Sequence, residues 1–281
     1  MIPRAPTAAL AAWVLIAGAL AGCSPAGADT STSASPAPAS SSAPEPSSAP
    51  PDSSAPPSAA PPASSLPASA APGSSGFAYD PPGQLQSGGA GVDDATVYAP
   101  GIRFPLDQPN GYANSQVYGH GGENGPGGGQ CDADNYSYPW HDNFCEARAY
   151  TTPLCPSGTG HQGQDIRPDS CVKAHYVAVA AEAGVISQIG TYTVYLSGDS
   201  GRTYLYLHMQ MDQLKVQVGD RVARGQPLGL VSNNFGATAT TIHLHFEIKE
   251  PVTLNGATVV TRVPPYSSLV DAYQALLAGS P

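Results

Sequence analysis

Residues 184–209 read GVISQIGTYTVYLSGDSGRTYLYLHM. The stretch contains three short runs rich in β-branched and aromatic residues, at 184–189, 192–197 and 203–209, and the turn-forming residues 198–201 separate the second run from the third. Runs of this composition, bounded by turn residues, are typical of strands that follow one another in an antiparallel sheet. The stretch therefore predicts three consecutive strands.

Further strand signals flank this stretch. Residues 176–181 precede it, and residues 216–222, 228–232, 242–249 and 258–263 follow it. Residues 216–222 alternate apolar and polar positions around Gly219-Asp220, which predicts a hairpin turn. Closely spaced strands with turns between them predict an all-β fold, either an antiparallel sandwich or a barrel.

One helix is predicted near the end of the sequence. Apolar residues at positions 269, 270, 273, 276 and 277 follow helical spacing. Ser268 is a suitable first residue and Gly279 a suitable stop signal. We therefore expect a closing helix over residues 268–277.

The first residues predict export. Arg4 is followed by an almost wholly apolar run at residues 8–22, which is short for a membrane-spanning helix of roughly 20 residues and ends in small residues, as a cleaved signal peptide does. The ending Leu20-Ala21-Gly22-Cys23 resembles the bacterial lipoprotein signal, in which the Cys becomes the lipid-bearing N-terminus. We expect a signal peptide over 1–22 and lipidation at Cys23; an ordinary cleaved signal with Cys23 as a bystander is the alternative.

A tether is predicted to follow the lipidated Cys23, over residues 23–76. Residues 24–76 consist almost entirely of Ser, Ala and Pro, so they bury too little apolar surface to offset the entropy of ordering. The folded domain is expected within 77–281, with a Gly-rich transition at 77–100 and the packed part beginning near Ile102. Together these segments predict an exported bacterial lipoprotein. It would be anchored in the outer membrane, on its periplasmic side, or in the cell membrane, and would face the cell wall.

Charge limits the classes of partner. The formal net charge is −10, whereas proteins that bind nucleic acid usually carry a basic face. The composition therefore argues against a nucleic-acid partner.

Four cysteines lie in or beside a long segment without periodicity, residues 119–168. Loops of this length are usually functional or stapled. In an exported chain, four cysteines predict two disulfides with three possible connectivities, and proximity in sequence favours Cys131–Cys145 and Cys155–Cys171. A zinc site of four thiolates is the alternative, against which the lack of any CxxC pair argues.

The first chemical motif is His243-Leu244-His245, inside a predicted strand. Residues two apart on a strand project from the same face, so both imidazoles point into one space. Such a pair suits a metal and a neighbouring base, although a surface His pair or a cross-strand polar patch produces the same pattern. The motif alone is weak.

Two more motifs contribute polar residues. His161 and Asp165 lie in GHQGQDI at 160–166, where the glycines favour a loop that enters a strand. Imidazole and carboxylate oxygen are both ordinary zinc ligands, but a turn Asp beside an exposed His is the alternative. The third motif is Tyr206-Leu207-His208, whose His could equally be a satisfied core residue.

Together these motifs form a hydrolytic set. Catalytic zinc sites use three protein ligands and a water; His161, Asp165 and one His of the 243/245 pair supply three. His208 and the remaining His would then serve as general base and oxyanion stabiliser. The chain has no GxSxG and no HExxH motif, so the usual serine-hydrolase and metalloprotease signals are missing.

The ordered motifs resemble a known family. They are HxxxD at 161–165, VAAEAGVIS at 179–187, YLH at 206–208, VGDRVARGQPLG at 218–229 and HLHFEI at 243–248. In this order and spacing they are similar to the lysostaphin/LytM-type zinc endopeptidases, with a motif core over 160–249.

The resemblance carries specific expectations. It implies a two-sheet antiparallel β-sandwich of the duplicated hybrid motif type with an active-site groove, and cleavage of peptidoglycan stem peptides or cross-links. It implies that His161, Asp165 and His245 hold one Zn²⁺, and that His208 and His243 act in catalysis. Tyr206 stands where the family often has Tyr.

Two departures from the family pattern concern the surroundings of the groove. The disulfides expected between residues 131 and 171 bracket the first motif, and residues 233–238, NNFGAT, replace the usual Gly-rich Ser/Thr loop. These departures put substrate choice in doubt more than zinc binding. In latent members an upstream Asn binds the metal, and Asn114 is the candidate for that part here.

Two other functions fit parts of the sequence. Non-catalytic LytM proteins bind and activate a wall amidase and are often lipoproteins, so an amidase or divisome partner is the alternative. Such proteins typically lose metal ligands, whereas this chain keeps all five His/Asp positions. Residues 218–226 also resemble the hairpin of biotinyl and lipoyl carrier domains, but no Lys lies between Lys215 and Lys249 to be modified.

Overall fold

A computed structural model of the chain describes residues 76–86 and 88–281. The expected signal peptide, Cys23 and nearly all of the expected tether lie outside the described residues. Within the described part, no helix has both the length and the apolar character needed to cross a membrane.

The described chain is built mainly from short strands. Two 3-10 helices lie at Ala133–Tyr136 and Met211–Gln213, and one α-helix, α1, at Tyr266–Leu277. The strands are β1 (Tyr112–Ala113), β2 (Gln164–Arg167), β3 (Val177–Val179), β4 (Gly184–Ile189), β5 (Thr193–Gly198), β6 (Thr203–Leu207), β7 (Arg221–Val222), β8 (Pro227–Leu230), β9 (Leu244–Leu254) and β10 (Ala257–Val263).

The strands form two antiparallel sheets. The larger sheet has eight strands in the order β1-β2-β9-β6-β5-β4-β7, with β10 paired to β9 off this path. The smaller sheet pairs β3 with β8. The predicted fold class, two antiparallel β-sheets with one C-terminal helix, is confirmed.

Strand β9 connects the core to the polar side of the large sheet. Leu244, Phe246 and Ile248 are fully buried in the main hydrophobic cluster. Because successive side chains on a strand point to opposite faces, His245 and Glu247 project from the other face. The period-two pattern of HLHFEI thus has a packing cause, since every second residue is needed in the core.

The segment before Ile102 is a packed part of the domain rather than the transition expected over 77–100. Phe77 is buried, and its ring meets the Trp140 and Tyr273 rings edge-on at centroid distances of 4.9 and 4.8 Å. The Trp140 amide donates to the Ala78 carbonyl at 2.9 Å. Sequence pattern missed this segment because it contacts the domain through scattered aromatic residues without strand or helix periodicity.

Two element boundaries also differ from expectation. The hairpin predicted over 216–222 does not form, because the backbone of Gly219 and Asp220 bonds with Ile186 of β4 and leaves only Arg221–Val222 as a strand. Helix α1 begins at Tyr266 instead of Ser268, whose hydroxyl accepts a hydrogen bond from the Ala99 amide at 3.0 Å and so does not cap the helix.

The two disulfides pair differently from the favoured connectivity. Cys131 bonds to Cys171 and Cys145 bonds to Cys155, with Cα atoms 5.4 and 5.3 Å apart. The preference for sequence neighbours was therefore wrong.

The chain path explains the observed pairs. Residues 145–161 form a closed loop, in which the Cys145 amide donates to the His161 carbonyl and Cys155 folds back from the tip. In the other pair, Arg167 at the end of β2 donates to the Gln130 carbonyl, which brings the 131 region to the segment that follows β2. Neither contact is visible as a sequence pattern.

We predict that peptide mapping without reduction will recover fragments that link Cys131 to Cys171 and Cys145 to Cys155. Replacing either pair by Ser should lower the free energy of unfolding by about 2–4 kcal/mol. The loss should be larger for Cys131/Cys171, which closes 40 residues against 10. A fragment that links Cys131 to Cys145 would contradict this connectivity.

Candidate metal centre

Strand pairing places the candidate site residues together. In the antiparallel pair of β2 and β9, Asp165 lies opposite His245. On the other side of β9, Leu207 at the end of β6 lies opposite the same residue, so His208 follows immediately. His161 lies on the loop that leads into β2, as the glycines of its motif predicted.

A buried carboxylate is the centre of the arrangement. Asp165 Oδ1 lies 3.3 Å from His161 Nε2, 3.4 Å from His243 Nε2 and 2.9 Å from His245 Nδ1. The His208 ring centroid lies 4.5 Å from that of His243 and 6.3 Å from that of His245. All five side chains are buried, so the structure brings together all the candidate ligands and bases of the three motifs.

Hydrogen bonds fix which ring nitrogens are available. The Nδ1 atoms of His161, His208 and His243 face the carbonyls of Asn143, Asn234 and Thr241 at 2.9, 3.0 and 2.9 Å. A carbonyl only accepts hydrogen bonds, so in each ring Nδ1 carries the proton and Nε2 keeps a lone pair.

His245 has the opposite arrangement. Its Nε2 faces Glu247 Oε1 at 3.1 Å, and Nδ1 faces Asp165. Burial raises the pKa of Glu247, but the His245 and Arg262 contacts outweigh burial and hold the pKa below its usual value. The ionised Glu247 accepts the Nε2 proton, which leaves Nδ1 as the atom that can bind a metal.

The donor set fits a divalent metal. Ligand atoms of His161, Asp165 and His245 all lie within 4.8 Å of one another. Tetrahedral zinc, with bonds of about 2.0–2.2 Å, separates its ligand atoms by roughly 3.3 Å, close to the 3.3 and 2.9 Å measured from Asp165 Oδ1. His243 contacts the same carboxylate but lies outside this three-residue group.

The site opens into a cleft of about 360 Å³. The candidate ligands, His208 and His243 all line it. Thr193, Tyr195, Leu205 and Leu207, which belong to β5 and β6, provide further lining. The cleft therefore exposes a potential metal and two imidazole bases to a bound molecule.

Comparison with protein families identifies the domain. Residues 159–259 match the model of peptidase family M23. This region is a peptidase M23 domain. No curated protein sequence matches the chain.

Solved structures show partial similarity. Lysostaphin from Staphylococcus simulans is 25% identical over 47% of this chain and 52% of its own, with a TM-score of 0.32. Its catalytic domain alone is also 25% identical, over 42% of this chain and 89% of its own, with a TM-score of 0.29.

A mutant catalytic domain of the prophage-encoded M23 protein EnpA from Enterococcus faecalis is 19% identical, over 46% of this chain and 93% of its own, with a TM-score of 0.30. The chain spans about half the length, 48 to 54%, of the first solved structures that it matches.

Asn143 orients two candidate ligands of the M23 domain, and sequence reasoning did not select it. Its Nδ2 donates to Asp165 Oδ2 at 2.9 Å, its Oδ1 accepts from the Asp165 amide at 3.1 Å, and its carbonyl accepts from His161 Nδ1. The bond to Oδ2 leaves Oδ1 facing the three imidazoles. An isolated Asn in an aperiodic loop carries no motif, so no sequence signal could have revealed it.

Glu247 and Arg262 extend the network beyond His245. Glu247 Oε2 accepts from Arg262 Nε at 2.6 Å while Oε1 contacts His245. Carboxylates that contact a metal-binding His fix its orientation and raise its basicity. Glu247 lies in the quoted HLHFEI motif, where its position two residues after His245 was the available signal.

The neighbouring charges change the ionisation of the centre. Burial alone would raise the pKa of Asp165, but His161 and His243 hold it well below its usual value. Burial lowers the pKa of His245, yet Asp165 and Glu247 outweigh it and raise that pKa to about 9. The site is thus built to hold positive charge at His245 Nδ1, the atom that a metal would occupy instead of a proton.

His208 adopts a backbone conformation that is unusual for its residue type. Its φ is +66°, a left-handed value that mainly Gly and Asn adopt without strain. Burial and the neighbouring His243 lower its pKa to about 2, so the ring is neutral across physiological pH. Strained residues of this kind often mark functional sites.

Asn114 and Tyr206 are engaged elsewhere. Asn114 Oδ1 accepts hydrogen bonds from Arg167 Nε at 3.1 Å and from Gln116 Nε2 at 2.9 Å. The oxygen expected to bind the metal in a latent form is thus hydrogen-bonded to these two side chains. Tyr206 is buried in the core, where its hydroxyl accepts from the Ala181 amide at 2.7 Å. This Tyr therefore supports the fold beneath the site.

Replacing Asn143 by Ala should weaken divalent metal binding by about 10–100-fold, because outer contacts of this type orient the ligands. Zinc titration against a competing chelator measures the change. Asn110→Ala, which removes only an exposed bond to Asp169, is the matched control. Equal zinc affinity in the two variants would show that Asn143 does not support the metal centre.

Proposed function

We propose that the domain is a zinc-dependent endopeptidase that hydrolyses peptide bonds in peptidoglycan stem peptides or cross-links. The observation that carries the proposal is the convergence of His161 Nε2, Asp165 Oδ1 and His245 Nδ1 in a cleft that also contains His208 and His243. The match of residues 159–259 to peptidase family M23 supports the reaction class.

In this proposal zinc is held by His161, Asp165 and His245. When bound, zinc would polarise the scissile carbonyl and lower the pKa of a water toward neutrality. Asn143 and Glu247 keep the ligands oriented, through their contacts with Asp165 and His245.

In the proposed reaction His208 and His243 carry out proton transfer and stabilise charge. Each holds its own proton on Nδ1 against a backbone carbonyl and presents an unprotonated Nε2. One Nε2 would take a proton from the attacking water and pass it to the leaving amine. The other ring would steady the developing negative charge once its Nε2 carries a proton and can donate a hydrogen bond. Burial lowers the pKa of both rings, which keeps them neutral before the reaction begins.

The N-terminal sequence supports a location for this activity. We propose that the protein is exported, lipidated at Cys23, and held by its Ser/Pro/Ala-rich tether so that the domain reaches peptidoglycan from the membrane. The support is the apolar run at 8–22 and the Leu-Ala-Gly-Cys ending. Peptidoglycan and the membrane are thus the proposed partners.

The purified full chain should bind one zinc and release peptide fragments with new amino termini from peptidoglycan. Dipicolinate should abolish the release and added zinc should restore it. His245→Ala should lose the metal, whereas His208→Asn should retain it and lose about 10²–10⁴-fold in rate. Asn suits the left-handed backbone at 208, so this variant separates chemistry from folding.

His175→Asn provides the matched control, because this exposed residue does not line the cleft. It should keep both zinc and activity. A wild-type chain that binds no zinc, releases no fragments and yet stimulates a wall amidase would favour the non-catalytic activator instead.

A further inference from the structure

Two arginine side chains line the same cleft as the metal centre. Arg148 comes from the loop closed by the Cys145–Cys155 disulfide, and Arg262 comes from β10. The chain has only 11 basic residues against 21 acidic ones. Two guanidinium groups at the cleft therefore contrast with the net negative charge of the protein.

Arg262 retains most of its hydrogen-bonding capacity. Its Nε donates to Glu247, and among the described residues neither Nη1 nor Nη2 has a hydrogen-bond partner. The side chain is 29% exposed. The end of the guanidinium, with its two parallel N–H groups, is thus available to a bound molecule.

Arg148 is held in place but also keeps free donors. Its Nη1 donates to the Ala147 carbonyl at 2.8 Å, and its Nη2 contacts Glu146 Oε2 at 3.3 Å. These contacts use two of its five N–H groups. The side chain is 20% exposed and faces the cleft.

Both arginines contact a residue that in turn contacts a candidate zinc ligand. Glu146, the partner of Arg148, accepts the His161 amide through its carbonyl at 2.8 Å. Glu247, the partner of Arg262, contacts His245. Each guanidinium is therefore separated from a candidate zinc ligand by one residue, Glu146 for Arg148 and Glu247 for Arg262.

We propose that Arg148 and Arg262 form a carboxylate subsite, which selects peptides with a free carboxylate close to the bond that is cut. The proposal rests on the proposed endopeptidase function and names its substrate class. Acidic stem peptides provide such carboxylates, whereas a bridge made of glycine has none within its chain. The cleft is thus suited to the stem peptide or to the cross-link at its acidic residue.

The chemistry favours this use over a purely structural one. Guanidinium groups bind carboxylates through two parallel hydrogen bonds, and these bonds are strong because both partners are charged. A protein with a net charge of −10 repels an acidic substrate unless local positive charge offsets the repulsion. Arg262 holds Glu247 through Nε alone. This structural contact therefore gives no role to the two terminal nitrogens, Nη1 and Nη2.

The test compares two synthetic peptides that differ in one group, a side-chain carboxylate or the matching carboxamide. We expect the full-length wild type to prefer the carboxylate. Arg262→Gln should reduce kcat/KM for the carboxylate peptide by about tenfold or more, mainly through KM, because a charge-assisted hydrogen bond is lost. In this variant cleavage of the carboxamide peptide should fall less, only by what the lost contact between Arg262 and Glu247 costs. Arg148→Gln should also weaken cleavage of the carboxylate peptide and should leave cleavage of the carboxamide peptide nearly unchanged.

Arg221→Gln is the matched control, since this exposed arginine pairs with Asp199 away from the cleft. It should leave the preference intact. An equal loss on both peptides in Arg262→Gln would show that Arg262 only positions Glu247. An unchanged preference in both cleft variants would also overturn the subsite.

Failure of the proposed function gives a different result, because a chain without peptidase activity cuts neither peptide. Binding then decides the subsite on its own. Calorimetry with the two peptides should show tighter binding of the carboxylate by the wild type and no preference in Arg262→Gln. Equal affinities of the wild type for both peptides would contradict the subsite regardless of activity.

Discussion

The Asp165 carboxylate is the constraint on which the rest of the site depends. It is buried, and an isolated buried charge is costly unless it is paired and hydrogen-bonded. Three imidazoles and the Asn143 amide provide this compensation. The antiparallel register that sets Asp165 opposite His245 is therefore both a folding contact and the geometry of the proposed metal centre.

The two faces of β9 and the flanking loops have different roles around this carboxylate. The core-facing residues of β9 pack against aromatic side chains such as Tyr206, whose ring meets Phe246 edge-on at 5.3 Å. The opposite face carries His245 and Glu247, and the loops on either side supply carbonyls that fix the His tautomers. Rigid strands thus carry two of the proposed ligands, while loops set which nitrogen atoms are exposed to the cleft.

Much of this arrangement could be predicted from the sequence, for physical reasons. The period-two pattern of HLHFEI revealed which face is polar, because core packing requires the alternate residues. The glycines of GHQGQDI correctly predicted a loop that enters a strand. Assignment of zinc to His245 and catalysis to His243 came from the family resemblance, and it stays a prediction; the three-residue group supports it.

Other features had no sequence signal. The disulfide connectivity, the packing of Phe77 and the role of Asn143 depend on contacts between segments far apart along the chain, and such contacts leave no local periodicity. The sequence pattern of β10 shows only that Arg262 lies on the exposed face of the strand. Its contact with Glu247 forms only when β9 and β10 pair. Contacts of this kind become visible only in the folded structure.

The most direct test of the central claim is an anomalous-scattering map at the zinc edge from crystals of the purified protein. The account predicts one peak, bonded at about 2.0–2.2 Å to His161 Nε2, Asp165 Oδ1 and His245 Nδ1, with His208 and His243 outside bonding distance. A peak bonded to His243 in place of His245, or no peak in a zinc-saturated protein, would contradict it.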